Sequence, residues 1–247
     1  MKKIVNIVAS DFDGTIRYNN RISEEDKEAI TSFRESGGKF GVVTGRDVES
    51  TLWVIREMKG YYDFLICCTG AVIFNGDGEI IFSKKQTLFP EMYDIAKKAI
   101  SLDAGYFLVS DMLTKCYVDT NGYLPIDLSK INKFTQANAW FPEEKNAIKF
   151  QEYLQKNHSN RLLGFRNGGA IDMPPVGFSK TVGIYTYADM YDNYKVYTAG
   201  DNYNDIPMLE EFESYAVSNA NDDVKAIANH RCDRICDMIK DIMEKNV

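Results

Sequence analysis

The apolar run Ile4-Val5-Asn6-Ile7-Val8-Ala9 reads as a buried strand, and it ends on Asp11-Phe12-Asp13-Gly14-Thr15. Two carboxylates one residue apart, followed at once by Gly-Thr, are a poor way to finish a strand if stability is the only demand. At the mouth of a parallel sheet they make chemical sense. One can attack a phosphorus atom while the other handles a proton. Asp, Gly and Thr also do ordinary turn work, so the pentapeptide alone leaves a plain turn open.

Three further polar clusters follow in order. Lys39-Phe40-Gly41-Val42-Val43 reads as a second strand, with Thr44-Gly45-Arg46 just past its end. Ser179-Lys180 opens a helical pattern. Tyr194-Lys195-Val196-Tyr197-Thr198-Ala199 reads as another strand and ends in Gly200-Asp201-Asn202-Tyr203-Asn204-Asp205. Each cluster lies at a strand end or a helix start, and in doubly wound sheets those edges form the ligand crevice. Singly, each has a plain alternative: Thr44 could cap the next helix, Lys180 could lie on a solvated surface, and Asp201 and Asp205 could be helix-entry caps. Their joint occurrence in this order points to one site.

Between these clusters the pattern changes character. From Ile4 to Phe82 strands alternate with helices. Ser23-Glu24-Glu25-Asp26 reads as a capped start, Ser36-Gly37-Gly38 as a stop, and Asp47 as the cap of the next helix, which carries Leu52, Val54, Ile55 and Met58. Phe64-Leu65-Ile66-Cys67 is a short buried strand. Segments 71–74 and 79–82 flank Asn75-Gly76-Asp77-Gly78, a hairpin signal. From Lys84 to about Pro175 the pattern predicts a helix over 90–103, with Met92, Ile95, Ala96, Ala99 and Ile100 on its apolar face. Strands over 106–110 and 115–119 follow. A second helix over 143–157, with Ile148 and Leu154 on one side, precedes strands over 161–166 and 170–173, turned at Asn167-Gly168-Gly169. Helix-strand-strand, twice, predicts an α+β layer of one sheet with two helices on one face. Pro174-Pro175 reads as a hinge or linker. A helix from Lys180, the Tyr194 strand, a helix over 206–211, the strand Tyr215-Ala216-Val217 and helices from Asp222 complete the chain.

A net charge of −7 lacks the basic footprint that nucleic acid requires, so any phosphate must be drawn in locally. The five cysteines form no even framework. Cys67-Cys68 reads as core packing at a strand end, and Cys232 and Cys236 as one face of a helix. Neither His158 nor His230 completes a metal set with them. Reduced thiols suit the cytoplasm. Met1-Lys2-Lys3 and the short apolar stretch after it do not read as a signal peptide, and no window approaches the length of a membrane span.

The four clusters together resemble the haloacid-dehalogenase (HAD) superfamily of hydrolases, and within it the Cof-like sugar-phosphatase branch with a C2B-type cap. Cys68-Thr69-Gly70-Ala71, Ile171-Asp172-Met173-Pro174-Pro175 and Ile206-Pro207-Met208-Leu209 also resemble that branch. The resemblance runs from Ile7 to about Ile227 and is strongest in the outer thirds. Two departures accompany it. The interval from Lys180 to Asp201 is slightly tight for the branch, and Arg231-Cys232-Asp233-Arg234-Ile235-Cys236 lacks the Asp-Gly-Val turn often found there. The resemblance implies an α/β fold: a Rossmann-like parallel-sheet core over 1–83 and 176–247, interrupted by an inserted α+β cap over 84–175 that closes over the site and selects the substrate.

It also implies roles. Asp11 is the expected nucleophile, forming an aspartyl-phosphate, and Asp13 the acid and then base. A Mg²⁺ ion would be held by Asp11, the backbone carbonyl of Asp13, and Asp201. Thr44 would offer its hydroxyl and backbone N–H to a phosphoryl oxygen, and Gly45 would allow close approach. Lys180 would place a charge on the phosphate, with Phe12 adding a backbone N–H and Asn204 an amide. Asp205 would hold Lys180. Arg46 would either meet substrate or be structural. The expected activity is Mg²⁺-dependent hydrolysis of small phosphorylated metabolites, sugar phosphates foremost, with neither nucleic acid nor membrane as partner. The alternatives are a phosphomannomutase-like phosphomutase, for which Lys115, Arg161 and Arg166 are the candidate second clamp, and a non-catalytic phosphometabolite-binding protein. For the cap, the loops near Asp111-Met112, Asn121-Gly122-Tyr123 and Asn167-Gly168 are expected near the site. Trp140-Phe141 is expected to be core rather than a stacking surface.

Overall fold

The computed structural model describes residues 4–118 and 127–245. The expected loop at Asn121-Gly122-Tyr123, and Asp119 at the end of an expected strand, lie outside the described residues.

The chain begins with β1 (Val5–Asp11), α1 (Glu24–Glu35), β2 (Lys39–Val43), α2 (Val48–Glu57), β3 (Phe64–Cys67) and the hairpin β4 (Val72–Asn75) and β5 (Ile80–Ser83). Ser23 caps α1 by accepting the Asp26 N–H at 3.0 Å, and Asp47 caps α2 by accepting the Ser50 N–H at 2.8 Å. The chain then enters a second layer: β6 (Gln86–Thr87), α3 (Met92–Ser101), β7 (Tyr106–Asp111), β8 (Thr114–Val118), β9 (Lys133–Phe134), β10 (Gln136–Trp140), α4 (Glu144–His158), β11 (Phe165–Asn167) and β12 (Ala170–Met173). It returns through α5 (Lys180–Ala188), β13 (Tyr194–Gly200), α6 (Ile206–Glu211), β14 (Glu213–Val217), α7 (Asp222–Ile227), β15 (His230–Cys232) and α8 (Ile235–Lys245).

The larger sheet has the order β15-β14-β13-β1-β2-β3-β4-β5. Its strands run parallel from β15 to β3, and the hairpin is antiparallel. Ile7, Val8 and Ala9 of β1 are fully buried, as a central parallel strand covered on both faces requires. Chain order reverses between β1 and β13. That reversal opens a crevice beyond their carboxyl ends, and the paired register Ser10 with Ala199 brings Asp11 and Asp201 to its two lips.

The inserted cap is a five-stranded sheet ordered β11-β12-β10-β7-β8, with its own buried cluster that includes Met92, Phe107, Phe150 and Ile171. The two expected helix-strand-strand units are present, but a strand the sequence pattern does not signal joins them. Gln136–Trp140 pairs antiparallel with β7 on one side and β12 on the other. Its alternation is small against polar: Ala137 and Ala139 pack into the cap core, leaving Gln136 and Asn138 on the opposite face.

Other expectations are corrected. The strand expected over 161–166 is only Phe165–Asn167, with Leu162 buried ahead of it. Ile148 is exposed; α4 buries Ala147, Phe150 and Leu154, a stripe one residue out of phase with it. Cys232 lies on edge strand β15 and Cys236 on α8, so they share no helix. All five cysteines are free thiols. Trp140 and Phe141 diverge: Phe141 is buried and Trp140 is exposed, stacked on Tyr106. Among the described residues, no helix is long and apolar enough to cross a membrane.

Candidate active site

The last residue of β1 and the first residue of α5 meet below the crevice. Lys180 Nζ donates to Asp11 Oδ1 at 2.5 Å and to Asp205 Oδ1 at 2.6 Å, and all three side chains are buried. Ser179 sets the start of α5 by accepting the Val182 N–H. Asp205 spends its other oxygen on the backbone N–H groups of Asp201 and Asn202, at 3.0 and 3.1 Å. It therefore fixes both the lysine and the loop that carries Asp201.

Asp201 accepts a hydrogen bond from the Thr15 hydroxyl at 2.8 Å. Gly14 makes this approach possible. Its φ is +90°, and a Cβ there would lie 2.4 Å from Asp201 Oδ2. Carboxylate oxygens of Asp11, Asp201 and Asp205 all lie within 4.8 Å of one another. Three carboxylates against one ammonium leave an excess of negative charge. Burial, then the charge of Asp205, holds Asp11 well above the usual carboxylate range, with Lys180 only partly opposing. Burial and Asp205 push Asp201 up to about 6. Burial alone would lower the Lys180 pKa, but Asp11 and Asp205 raise it above the ordinary lysine value. Such an all-oxygen, over-negative cluster has the donor chemistry that a hard divalent cation takes. Because Asp205 has both oxygens engaged, Asp11 and Asp201 are the carboxylates with capacity left for one.

Asp13 stands apart from that cluster. Its carboxylate is gripped by Arg46 through two bonds, Nε to Oδ2 at 2.7 Å and Nη2 to Oδ1 at 2.9 Å. Its backbone carbonyl is thus the atom left for the expected metal role. The Arg46 guanidinium also lies over the rings of Trp53 and buried Phe12.

Thr44 is buried at the end of β2. Its backbone N–H donates to the Ile66 carbonyl at 2.8 Å, so the expected N–H contact to a phosphoryl oxygen is spent within the sheet and only the hydroxyl remains. That hydroxyl oxygen accepts the Arg46 N–H. Asn204 is almost fully buried and its Oδ1 has no hydrogen-bond partner among the described residues.

A cavity of about 430 Å³ opens over this group, and Asp11, Asp13, Thr44, Gly45, Arg46 and Asn204 line its floor. The cap supplies the roof, including Tyr106, Lys115, Tyr117, Asn138, Asn167 and Asp172. Gln136 joins the two layers: its Nε2 donates to the Gly45 carbonyl at 2.5 Å, and its Oε1 lies 3.4 Å from the Thr69 hydroxyl.

Several cap residues escape sequence reasoning because no motif spacing marks them: Asn138, Tyr106 and Tyr117 in the roof, and the buried Gln136 that ties the cap to Gly45. Asp172 belongs to a run singled out only for its resemblance. The loop at Asp111-Met112 does not line the cavity; Asp111 pairs with Lys85 at 2.6 Å and Met112 packs on the larger core. Asn167 does line it, accepting from Asn202 Nδ2 at 2.6 Å. The three basic residues considered for a second phosphate clamp are all ion-paired: Lys115 with Asp47 and Glu49, Arg161 with Glu91, and Arg166 with Glu144.

A family model described as haloacid dehalogenase-like hydrolase matches residues 8–237. No curated protein matches the sequence. Among solved structures, SMU.1108c from Streptococcus mutans shares 18% identity at a TM-score of 0.80, over 97% of this chain and 99% of that one. The phosphatase BT1666 from Bacteroides thetaiotaomicron shares 21% identity at a TM-score of 0.74, over 98% and 95%. BT4131, described as a HAD subclass IIB sugar phosphatase, shares 18% identity at a TM-score of 0.74, over 98% and 99%. At these identities the likeness is one of fold.

Proposed function

The chain belongs to the haloacid dehalogenase-like hydrolase family, and from that premise we propose that it is a Mg²⁺-dependent phosphomonoesterase acting on small phosphorylated metabolites, sugar phosphates foremost. The observation that carries this reading is the buried Lys180 bridging Asp11 and Asp205 beneath a cavity that Asp13, Thr44 and Asn204 also line. A protein that only binds phosphate gains nothing from a carboxylate nucleophile held at the floor of the cavity.

In the proposed reaction an Asp11 oxygen attacks the phosphorus, and the ester P–O bond breaks as Asp13 delivers a proton to the departing oxygen. Water then attacks the aspartyl-phosphate, giving its proton to Asp13, which releases inorganic phosphate and restores Asp11. Lys180 and the Thr44 hydroxyl stabilise charge on the phosphoryl oxygens, and Asn204 offers its amide to the same group. A Mg²⁺ ion held by Asp11, Asp201 and the Asp13 carbonyl would offset the repulsion between two anions. Arg46 keeps the Asp13 carboxylate at the cavity wall, and one of its two bonds must open for an Asp13 oxygen to carry the proton. The likeness in fold to a protein described as a sugar phosphatase supports the substrate class.

The test is turnover of p-nitrophenyl phosphate in the presence of Mg²⁺. Wild-type protein should hydrolyse it, and Asp11→Asn should lose at least about a thousandfold in kcat. Activity in that variant near the wild-type level would remove Asp11 from the mechanism.

A further inference from the structure

We infer that Asn138 and Asp172, paired across the cap strands β10 and β12, are the specificity-determining residues that read hydroxyl groups on the non-phosphate part of the substrate. This inference deepens the phosphatase reading and rests on it for the position of the phosphate.

The two residues face one another in the ladder, Asn138 opposite Asp172. Asn138 Nδ2 donates to Asp172 Oδ1 at 2.5 Å. That bond turns the Asn138 NH₂ group toward the Asp172 carboxyl. It leaves Asn138 Oδ1 with no hydrogen-bond partner among the described residues, although the atom is buried. Both residues line the cavity above Asp11 and Asp13. A buried acceptor without a donor is costly, and it is expected where a ligand supplies the donor.

The pair therefore presents acceptors, Asn138 Oδ1 and the Asp172 carboxylate, and asks for O–H donors. Neighbouring charges narrow the ligand further. Lys115, the cation on this side of the cavity, is already held by Asp47 at 2.7 Å and Glu49 at 2.9 Å. A second phosphate or a carboxylate on the substrate would meet Asp172 and Asp47, with no unpaired ammonium among the described residues that line this side of the cavity. A neutral polyol meets no such opposition. Tyr106 and Tyr117 add ring surface to the same wall, suited to the C–H face of a sugar.

The test uses affinity, so that it stands apart from turnover. In the Asp11→Asn background, with Mg²⁺, calorimetry compares a panel of hexose and pentose monophosphates with inorganic phosphate. At least one sugar phosphate should bind about tenfold or more tightly than inorganic phosphate. Asn138→Ala and Asp172→Asn, each checked for an intact fold by circular dichroism, should each cut that preference by about tenfold. The Asn138 variant stands by itself should Asp172→Asn fail to fold. The inference is overturned if no sugar phosphate is preferred, or if the preference survives Asn138→Ala. A preference that depends on the pair, in a wild-type protein that never turns over a phosphate ester, would instead sink the phosphatase reading and leave the pair's role standing.

Discussion

Gly45 and Asp172 compete for one space: a Cβ on Gly45 would lie 2.0 Å from Asp172 Oδ2. The glycine after Thr44 thus lets the cap's carboxylate press against the strand-end loop of the core. Gly45→Ala should force Asp172 or the loop to shift, costing roughly 1–3 kcal/mol of stability. Urea denaturation measures this. Combining it with Asp172→Ala should recover part of the loss, because the two changes act on one contact. Additive effects in that cycle would separate the residues.

Asp172 also predicts a pH effect. Burial pushes its carboxyl up to about 7, Asp47 adding to the rise while Lys180 and the Asn138 amide oppose it. The unfolded chain loses this proton near 3.8. Between those values the folded state binds more protons than the unfolded one, so the group's contribution to stability falls as pH rises through the window. Asp172→Asn lacks that loss. Its stability relative to wild type should rise by on the order of 2 kcal/mol between about pH 5 and about pH 8. Denaturant titrations at the two pH values give the difference, and a flat difference would contradict the assignment.

Lys180 holds two buried carboxylates. Replacing it by Met leaves Asp11 and Asp205 without their ammonium, a change of the kind that costs about 3–5 kcal/mol. The midpoint of chemical unfolding should drop accordingly. The deficit should shrink at acid pH as the stranded carboxylates take up protons. A Lys180→Met protein as stable as wild type at neutral pH would show that the bridge carries no net stability.

Metal binding should stabilise the folded chain by mass action, by about 2.7 kcal/mol at a hundredfold excess over Kd. Mg²⁺ should therefore raise the melting temperature of wild type, and EDTA should reverse the rise. Asp201→Asn should abolish the shift. Asp13→Asn should retain most of it, because the Asp13 carboxylate lies on Arg46 and away from the acidic cluster. Loss of the shift in Asp13→Asn but not in Asp201→Asn would reverse that assignment.

The floor of the site was legible in the sequence because each of its groups sits where a strand ends or a helix begins. Apolar runs and polar clusters mark those points directly: Asp11 closing β1, Thr44 after β2, Lys180 opening α5, and Asp201 after β13. The roof was not. Asn138 lies on a strand, shared with Gln136, whose inward residues are alanines, so no hydrophobic alternation announces it. Asp13's grip on Arg46 and the spent Thr44 N–H depend on the folded path of three loops, which spacing does not encode. Ile148 misled because it looks core-like, whereas the α4 stripe is set by Phe150 and Leu154 packing under the cap sheet.

Trapping the covalent intermediate tests Asp11 most directly. Wild-type protein turning over a phosphate ester with Mg²⁺ is quenched with borohydride, which reduces an acyl phosphate to the alcohol, and its peptides are read by mass spectrometry. The account predicts homoserine at position 11 and at no other aspartate. Reduction at a different residue, or none in protein that is demonstrably turning over, would contradict it.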